Sequence, residues 1–307
     1  MDVLSEIEEL QQILREDSSN LQARRRLATL LLDNGFNEDA LRQFLYLANI
    51  YPDDADSYYN LGIAYEKNKN LKLAKSAYQE AIAKNPSEPD YYYNLGMVCI
   101  EAEEYDEAIE NFNIVAASDE NDSNTFFNLA FCQFKQKNYD EAAENFYKTI
   151  SLNNQDYLAH FYLGNIYKEL GQNDFALNEF QEVIKIRQDY SWAYFNIASI
   201  YYEQGDFDSA IENLQLTIQY NMNDIKACEI LAKIYLMLGN YGDAIDFLQN
   251  LIAQNEYNYD YYYILAQVFK QMGDIEQYKN FLQILIDNED KISYPVKNIK
   301  KELERNE

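Results

Sequence analysis

The chain has 307 residues, with 52 acidic side chains against 25 basic ones and a formal charge of −27. That balance argues against nucleic acid and against an anionic membrane surface, both of which are held by Lys and Arg. A hydrophobic share of 48% is enough for a large core, whereas 9 Gly and 4 Pro are too few for the many tight turns of strand-rich folds.

A basic partner is compatible with the acidity, but the simpler reading is solubility. The start of the chain, from Met1 to Glu9, is acidic and amphipathic, unlike the basic and then apolar start of a secretory signal. No run of residues approaches the roughly 18 apolar residues of a transmembrane helix. Val3, Leu4, Ile7, Leu10 and Leu14 fall at helical spacing, and Ser5 and Glu8 stand as a capping box. Residues 1–20 are therefore read as an N-terminal capping helix.

From residue 21 a 34-residue period sets in. One column reads Ala28, Gly62, Gly96, Ala130, Gly164, Ala198, Ala232 and Ala266, all small. The residue before each is Leu27, Leu61, Leu95, Leu129, Leu163, Ile197, Leu231 and Leu265. A third column reads Ala40, Ala74, Ala108, Ala142, Ala176, Ala210, Ala244 and then Tyr278. The units are 21–54, 55–88, 89–122, 123–156, 157–190, 191–224, 225–258 and 259–292, with no insertion between them. Each is numbered from 1, so that Gly62 stands at position 8 and Ala74 at position 20.

Positions 4, 7, 8 and 11 of a unit, such as Tyr58, Leu61, Gly62 and Tyr65, share one face of a first helix. Positions 20, 24 and 27, such as Ala74, Tyr78 and Ala81, form the stripe of a second. Between them lie turns such as Gly171-Gln172-Asn173-Asp174 and Gly205-Asp206, where Gly ends one helix and Asp or Asn caps the next. Small residues at 8 and 20 are expected where two helices approach closely. Arg24 at position 4 of the first unit and Tyr278 at position 20 of the last depart from their columns, as terminal units commonly do. After the last unit, Val296, Ile299 and Leu303 make an amphipathic helix over 293–307 with a basic outer face of Lys297, Lys300, Lys301 and Arg305. It is read as a C-terminal cap.

Tyr58-x-x-Leu61-Gly62-x-x-Tyr65, then Ala74-x-x-x-Tyr78, then Pro86, resembles the tetratricopeptide repeat, with Tyr in place of the leading Trp. The resemblance covers residues 21–292 in register. It implies an all-α fold, a right-handed superhelical solenoid of antiparallel helix pairs. It also implies a protein-binding function, with the first helices lining a concave groove that takes a peptide or helix of a partner.

On that frame the triplet Tyr91-Tyr92-Tyr93 occupies positions 3 to 5, and Tyr261-Tyr262-Tyr263 repeats it five units on. The middle ring is expected in the core and the first against the preceding second helix, with the third facing the groove. Position 6 supplies Asn60, Asn94, Asn128 and Asn196, whose amides can bond a peptide backbone with a donor and an acceptor. The array resembles in form the repeat superhelix of O-linked N-acetylglucosamine transferase, where an Asn ladder does this. Here the ladder breaks at Arg26, Tyr162, Ile230 and Ile264. Position 5 supplies Tyr59, Tyr93, Phe127, Phe161, Phe195 and Tyr263, and position 9 supplies Ile63, Met97 and Phe131. Ile100, Phe134, Leu158, Tyr202 and the sole tryptophan, Trp192, extend the apolar lining over units two to six. Unit four is its weak point, because Gln133 stands where a ring belongs and Phe134 can turn in to replace it.

The Lys and Arg pattern of repeats that bind chaperone tails is missing, since Thr29 follows Arg25 and Asp90 stands two units on. The one histidine, His160, sits at a core position of unit five, which suits burial better than base catalysis. Glu107, Glu110, Glu141 and Glu144 belong to a solvated second-helix face. Cys99, Cys132 and Cys228 have neither zinc spacing nor a disulfide pattern, so a reducing compartment, the cytoplasm, is expected. With one helix on either flank and no catalytic motif, the expectation is a non-catalytic interaction scaffold without cofactor or metal. Its partner is a protein or peptide. The alternative is a structural or self-associating assembly subunit that uses its convex face or termini.

Overall fold

The computed structural model describes residues 2–305, without the side chain of Arg305. Met1 and the Arg305 side chain of the expected basic face therefore lie outside the described residues. Those described form eighteen α-helices and one short 3-10 turn. A first helix, α1 (Val3–Glu16), precedes eight consecutive pairs. These are α2 (Leu21–Asp33) with α3 (Asn37–Ile50), α4 (Ala55–Lys67) with α5 (Leu71–Lys84), and α6 (Pro89–Glu101) with α7 (Tyr105–Ser118). Next come α8 (Ser123–Lys135) with α9 (Tyr139–Leu152), α10 (Tyr157–Glu169) with α11 (Asn173–Ile186), and α12 (Ser191–Gln204) with α13 (Phe207–Tyr220). Then follow α14 (Ile225–Leu238) with α15 (Tyr241–Gln254), α16 (Tyr259–Met272) with α17 (Ile275–Asp287), and finally α18 (Val296–Arg305). Short turns join the helices, as in an α-solenoid. The chain divides into two compact units, Met1–Tyr162 and Leu163–Glu307.

Each first helix stops at position 15, where the backbone turns left-handed. Gly35, Gly171, Gly205, Gly239 and Gly273 do so at φ between 71° and 80°. Lys69, Glu103 and Lys137 occupy the same place at φ 58°, 60° and 64°. The next N–H closes the end in every case, as Asn70 N does on Tyr65 O at 2.9 Å and Asp206 N on Tyr201 O at 3.0 Å. A side chain in that conformation carries a steric cost that glycine avoids. Lys69→Gly, Glu103→Gly and Lys137→Gly are each expected to raise stability by up to about 1 kcal/mol, read as a higher midpoint in urea unfolding.

Position 8 is small for a reason sharper than close helix approach: it leaves room for the ring at position 24. A Cβ on Gly62 would lie 2.5 Å from the Tyr78 ring, one on Gly96 2.7 Å from Phe112, and one on Gly164 2.6 Å from Phe180. All three rings are fully buried. Where position 8 is Ala in α12, α14 and α16, position 24 is Leu214, Leu248 or Leu282.

The buried stripe is rotated from the expected one. Position 3 is buried in every unit, as Ala23, Ser57, Tyr91, Thr125, Ala159, Ala193, Ala227 and Tyr261, and so is position 10, from Leu30 to Val268. Tyr58 and Tyr65, expected in the core, are only half-buried. Both stripes obey helical spacing, so periodicity alone could not separate them.

In the first unit, Ile7 of α1 packs with Leu27, Leu31, Phe44, Leu47 and Leu61. A second cluster holds Tyr78, Leu95, Val98, Phe112 and Leu129. Asp2, not Ser5, stands at the cap position of α1, and Ser5 lies inside the helix, so the expected capping box does not form. In the second unit one core runs from Ala198 through Leu214, Leu231, Leu248, Leu265 and Leu282 to Ile299 of α18. Tyr278, the exception in its column, is buried, and its hydroxyl donates to Glu302 of α18. The bulky residue at the last unit's position 20 thus meets the helix that closes the core. Cys99, Cys132 and Cys228 are free and buried, and burial pushes each thiol up to about 12.

Candidate functional site

In the first unit the helices α4, α6, α8 and α10 bring Tyr59, Tyr93, Phe127 and Phe161 into one column, each ring half-buried. Their inner edges rest on the buried rings of the second helices: Tyr59 on Tyr78 at 5.9 Å, Tyr93 on Phe112 at 5.7 Å and Phe127 on Phe146 at 5.6 Å. The position-6 asparagines brace the column. Asn94 Nδ2 donates to Tyr59 Oη at 2.7 Å, and Asn128 Nδ2 to Tyr93 Oη at 3.2 Å. Asn60 Nδ2 turns back to Asp56 O of its own helix at 2.7 Å. Asn128 Nδ2 also reaches Met97 Sδ at 3.4 Å, so Asn60 and Asn94 keep a second N–H and the carbonyl for another partner and Asn128 keeps the carbonyl. Ile63 is half-buried and Met97 is 37% exposed. Burial raises the Tyr59 and Tyr93 phenols above the ordinary value, so both stay neutral hydroxyls.

Tyr162, where the ladder breaks, is the hub of a ring cluster. It stacks on Phe146 at 5.5 Å and meets Phe127, Phe131, Phe134 and Phe161 between 5.3 and 5.9 Å. Phe134 lies at this cluster beside the Gln133 gap, and Gln133 instead accepts a hydrogen bond from Asn145 Nδ2 at 2.9 Å. His160 is half-buried.

In the second unit Trp192 is 53% exposed, with its ring edge-on to Phe195 at 6.3 Å. Asn196 is buried and spent on both sides: Nδ2 donates to Trp192 O at 2.9 Å and Oδ1 accepts from Lys168 Nζ at 3.1 Å. It holds the helix and the lysine, and burial lowers the pKa of Lys168.

The tyrosine triplets divide their work differently from the expectation. The first ring is the buried one. Tyr91 packs on Tyr59 of the preceding first helix at 4.9 Å and donates to Asp56 Oδ1 at 2.6 Å; Tyr261 donates to Met222 O. The middle ring is half-buried and ties the helix to the turn six residues upstream, Tyr92 to Pro86 O at 3.1 Å and Tyr262 to Glu256 O at 3.3 Å. Only the third, Tyr93 or Tyr263, lies in the position-5 column.

Burial raises the phenols of Tyr91, Tyr162, Tyr261 and Tyr263 as well. A folded-state pKa above the unfolded value of about 10 contributes stability that is complete below that pH and is lost as pH rises through the folded values. Helicity is therefore expected to hold to about pH 9 and to fall beyond about pH 10 together with the rise of tyrosinate absorbance. Ionisation of these six side chains, followed by their own ring resonances, while the helices stay intact would contradict this.

Sequence reading missed a cavity of about 220 Å³ between α14 and α16, lined by Glu229, Ala232, Lys233, Leu236, Tyr263, Ile264, Gln267 and Val268. Ile264 at a position-6 break in the ladder was the available signal. A possible cation cluster of Cys99, Glu104 and Glu107 already surrounds the Lys75 ammonium, which lies 2.5 Å from Glu107. Among the described residues no helix is long and apolar enough to cross a membrane.

Models of the family described as tetratricopeptide repeat match residues 55–88, 77–110, 100–156, 193–221 and 260–291, and one described as TPR repeat matches 164–205. Comparison with curated proteins finds no match. Among solved structures, PilF of Pseudomonas aeruginosa is 19% identical over 69% of this chain and 96% of its own, with a TM-score of 0.57. YrrB, described as a TPR protein with an unusual peptide-binding site, is 23% identical over 60% of this chain and 95% of its own, at 0.52. A chain of the Cut9–Hcn1 hetero-tetramer is 19% identical over 87% of this chain and 52% of its own, at 0.52. At such identities the likeness concerns the fold alone.

Proposed function

Because the chain is a tetratricopeptide repeat protein, we propose that it is a non-catalytic scaffold that binds an extended or helical segment of a partner protein along the face of its first helices. Eight repeats over 21–292 and the terminal helices as caps form the frame. The observation that carries this reading is the column of Tyr59, Tyr93, Phe127 and Phe161. Its rings are held from behind by buried rings and, at the tyrosines, by asparagines of the next repeat. Aromatic surfaces fixed before binding lose little conformational freedom when a ligand arrives. Ile63, Met97 and Phe131 widen the strip in the first unit, and Trp192 with Phe195 offers a second aromatic patch in the other. Asn60, Asn94 and Asn128 can reach a ligand backbone with the groups they have left over. Asn196 is excluded by its inward bonds. Affinity in the micromolar range, about −8 kcal/mol, suits such contacts.

The test is a selection from a displayed library of peptides, followed by titration of the enriched sequences into wild type and into Met97→Ala. Enriched peptides that share a motif and lose affinity on Met97→Ala support the reading. Peptides that bind both chains equally place recognition elsewhere.

A further inference from the structure

We propose that residues 292–295 are an internal, displaceable ligand of the groove between α14 and α16. We propose further that the external ligand of that groove is an extended peptide placing an aromatic ring where Tyr294 now lies. This groove belongs to the first-helix face of the second unit but uses none of the residues invoked above for partner binding, and its test does not depend on that reading.

The segment leaves α17, passes a short 3-10 turn and runs without helix until Val296. Ile292 is extended at φ −113°, ψ 145°, and Pro295 has no N–H to place. The ring of Tyr294 lies on that of Tyr263, centroids 4.0 Å apart. Its hydroxyl donates to Glu229, and Ser293 N donates to Asp260 Oδ1 at 2.8 Å. Tyr263 and Glu229 are the position-5 residues of adjacent first helices, and Asp260 sits at position 2. A ring contact, a hydroxyl bond and a main-chain N–H bond are what an extended peptide offers a repeat groove.

Two features make the contact replaceable. The helix that follows the strap, α18, is anchored independently of it. Ile299 of α18 is 2% exposed, and Glu302 accepts from Tyr278 and from Lys270 Nζ at 3.1 Å. Ser293 and Pro295 are exposed, whereas Ile292 and Tyr294 pack on the edge of the core, so lifting the strap uncovers that edge and leaves Ile299 in place. The neighbouring cavity of about 220 Å³, walled by Ala232, Leu236, Tyr263 and Val268, does not include Tyr294 in its lining. A peptide that fills it with a second apolar side chain gains a contact the strap does not make. The tether supplies the strap at an effective concentration in the millimolar range, which sets the strength a competitor must reach.

The probe is a synthetic peptide of residues 288–298, titrated to millimolar concentration into the full chain and followed by the ring resonances of its tyrosine. Tyr294→Ala is expected to bind it at least about tenfold tighter than wild type, and Tyr294→Ala with Tyr263→Ala to lose it. Tyr294→Phe, which keeps the ring and drops only the hydroxyl, is expected to fall between and covers the case in which the alanine variant does not fold. Equal binding to wild type and Tyr294→Ala overturns the proposal, and so does no binding to a folded Tyr294→Ala chain. A wild-type dimer that the peptide dissolves shows exchange of the strap between copies and overturns the intramolecular reading.

Discussion

Gly62→Ala is expected to lower stability by about 1–3 kcal/mol, and adding Tyr78→Leu is expected to restore much of it. The added methyl would lie 2.5 Å from a ring that is fully buried. That ring cannot slide freely, because Tyr78 Oη is bonded to Glu66 Oε2 at 3.0 Å. Ala28 and Ala130 coexist with Phe44 and Phe146, rings without a hydroxyl to hold, and no repeat combines Ala at position 8 with Tyr at position 24. The repeats of α12, α14 and α16 use Ala with Leu, the pair the double variant recreates. Tyr78→Leu alone should cost stability through the space it empties, by about 1–3 kcal/mol. The two changes should therefore couple favourably in a double-mutant cycle read by urea unfolding. Additive losses would mean that the glycine serves the backbone and not the ring.

Trp192→Ala and Met97→Ala should each weaken a peptide bound at its own patch tenfold or more, about 1.4 kcal/mol or above, with little change in unfolding midpoint. Both side chains are substantially exposed, 53% and 37%, so their loss removes little core packing. The controls are Phe175→Ala and Tyr257→Ala. These rings are more exposed, at 58% and 71%, but lie on a second helix and in an inter-repeat turn. Exposure alone predicts that the controls matter more; placement on the first-helix face predicts that they do not. Isothermal titration of a peptide selected on each patch into that patch's variant and into the two controls decides between them.

The helix pairs were legible because helix length, stop signal and small residue recur together, so that Gly205-Asp206 or Ala74 announces its place without knowledge of any contact. Side-chain direction was less legible. Positions 3, 7 and 10 and positions 4, 7 and 11 are both helical stripes, and a shift of about 100° per residue decides whether Tyr91 or Tyr92 is buried. That choice rests on neighbours such as Asp56 and Tyr59, a full repeat away in sequence. The position-6 asparagines follow the position-5 rings directly in sequence, yet the bonds of Asn94 to Tyr59 and of Asn128 to Tyr93 cannot be read from one helix at a time. The Tyr294 strap lay beyond reach for a different reason. It falls outside the period, and its partner Glu229 is 65 residues away.

The central claim is that partners are held on the first-helix face. The most direct measurement is photo-crosslinking in a native lysate, with a benzophenone side chain placed singly at Met97, Trp192, Ile114 or Tyr147. The last two are exposed residues of second helices α7 and α9. The account predicts a discrete crosslinked partner from Met97 and Trp192 and none from Ile114 and Tyr147. The same partner captured from the second-helix positions, with Met97 and Trp192 silent, would contradict it.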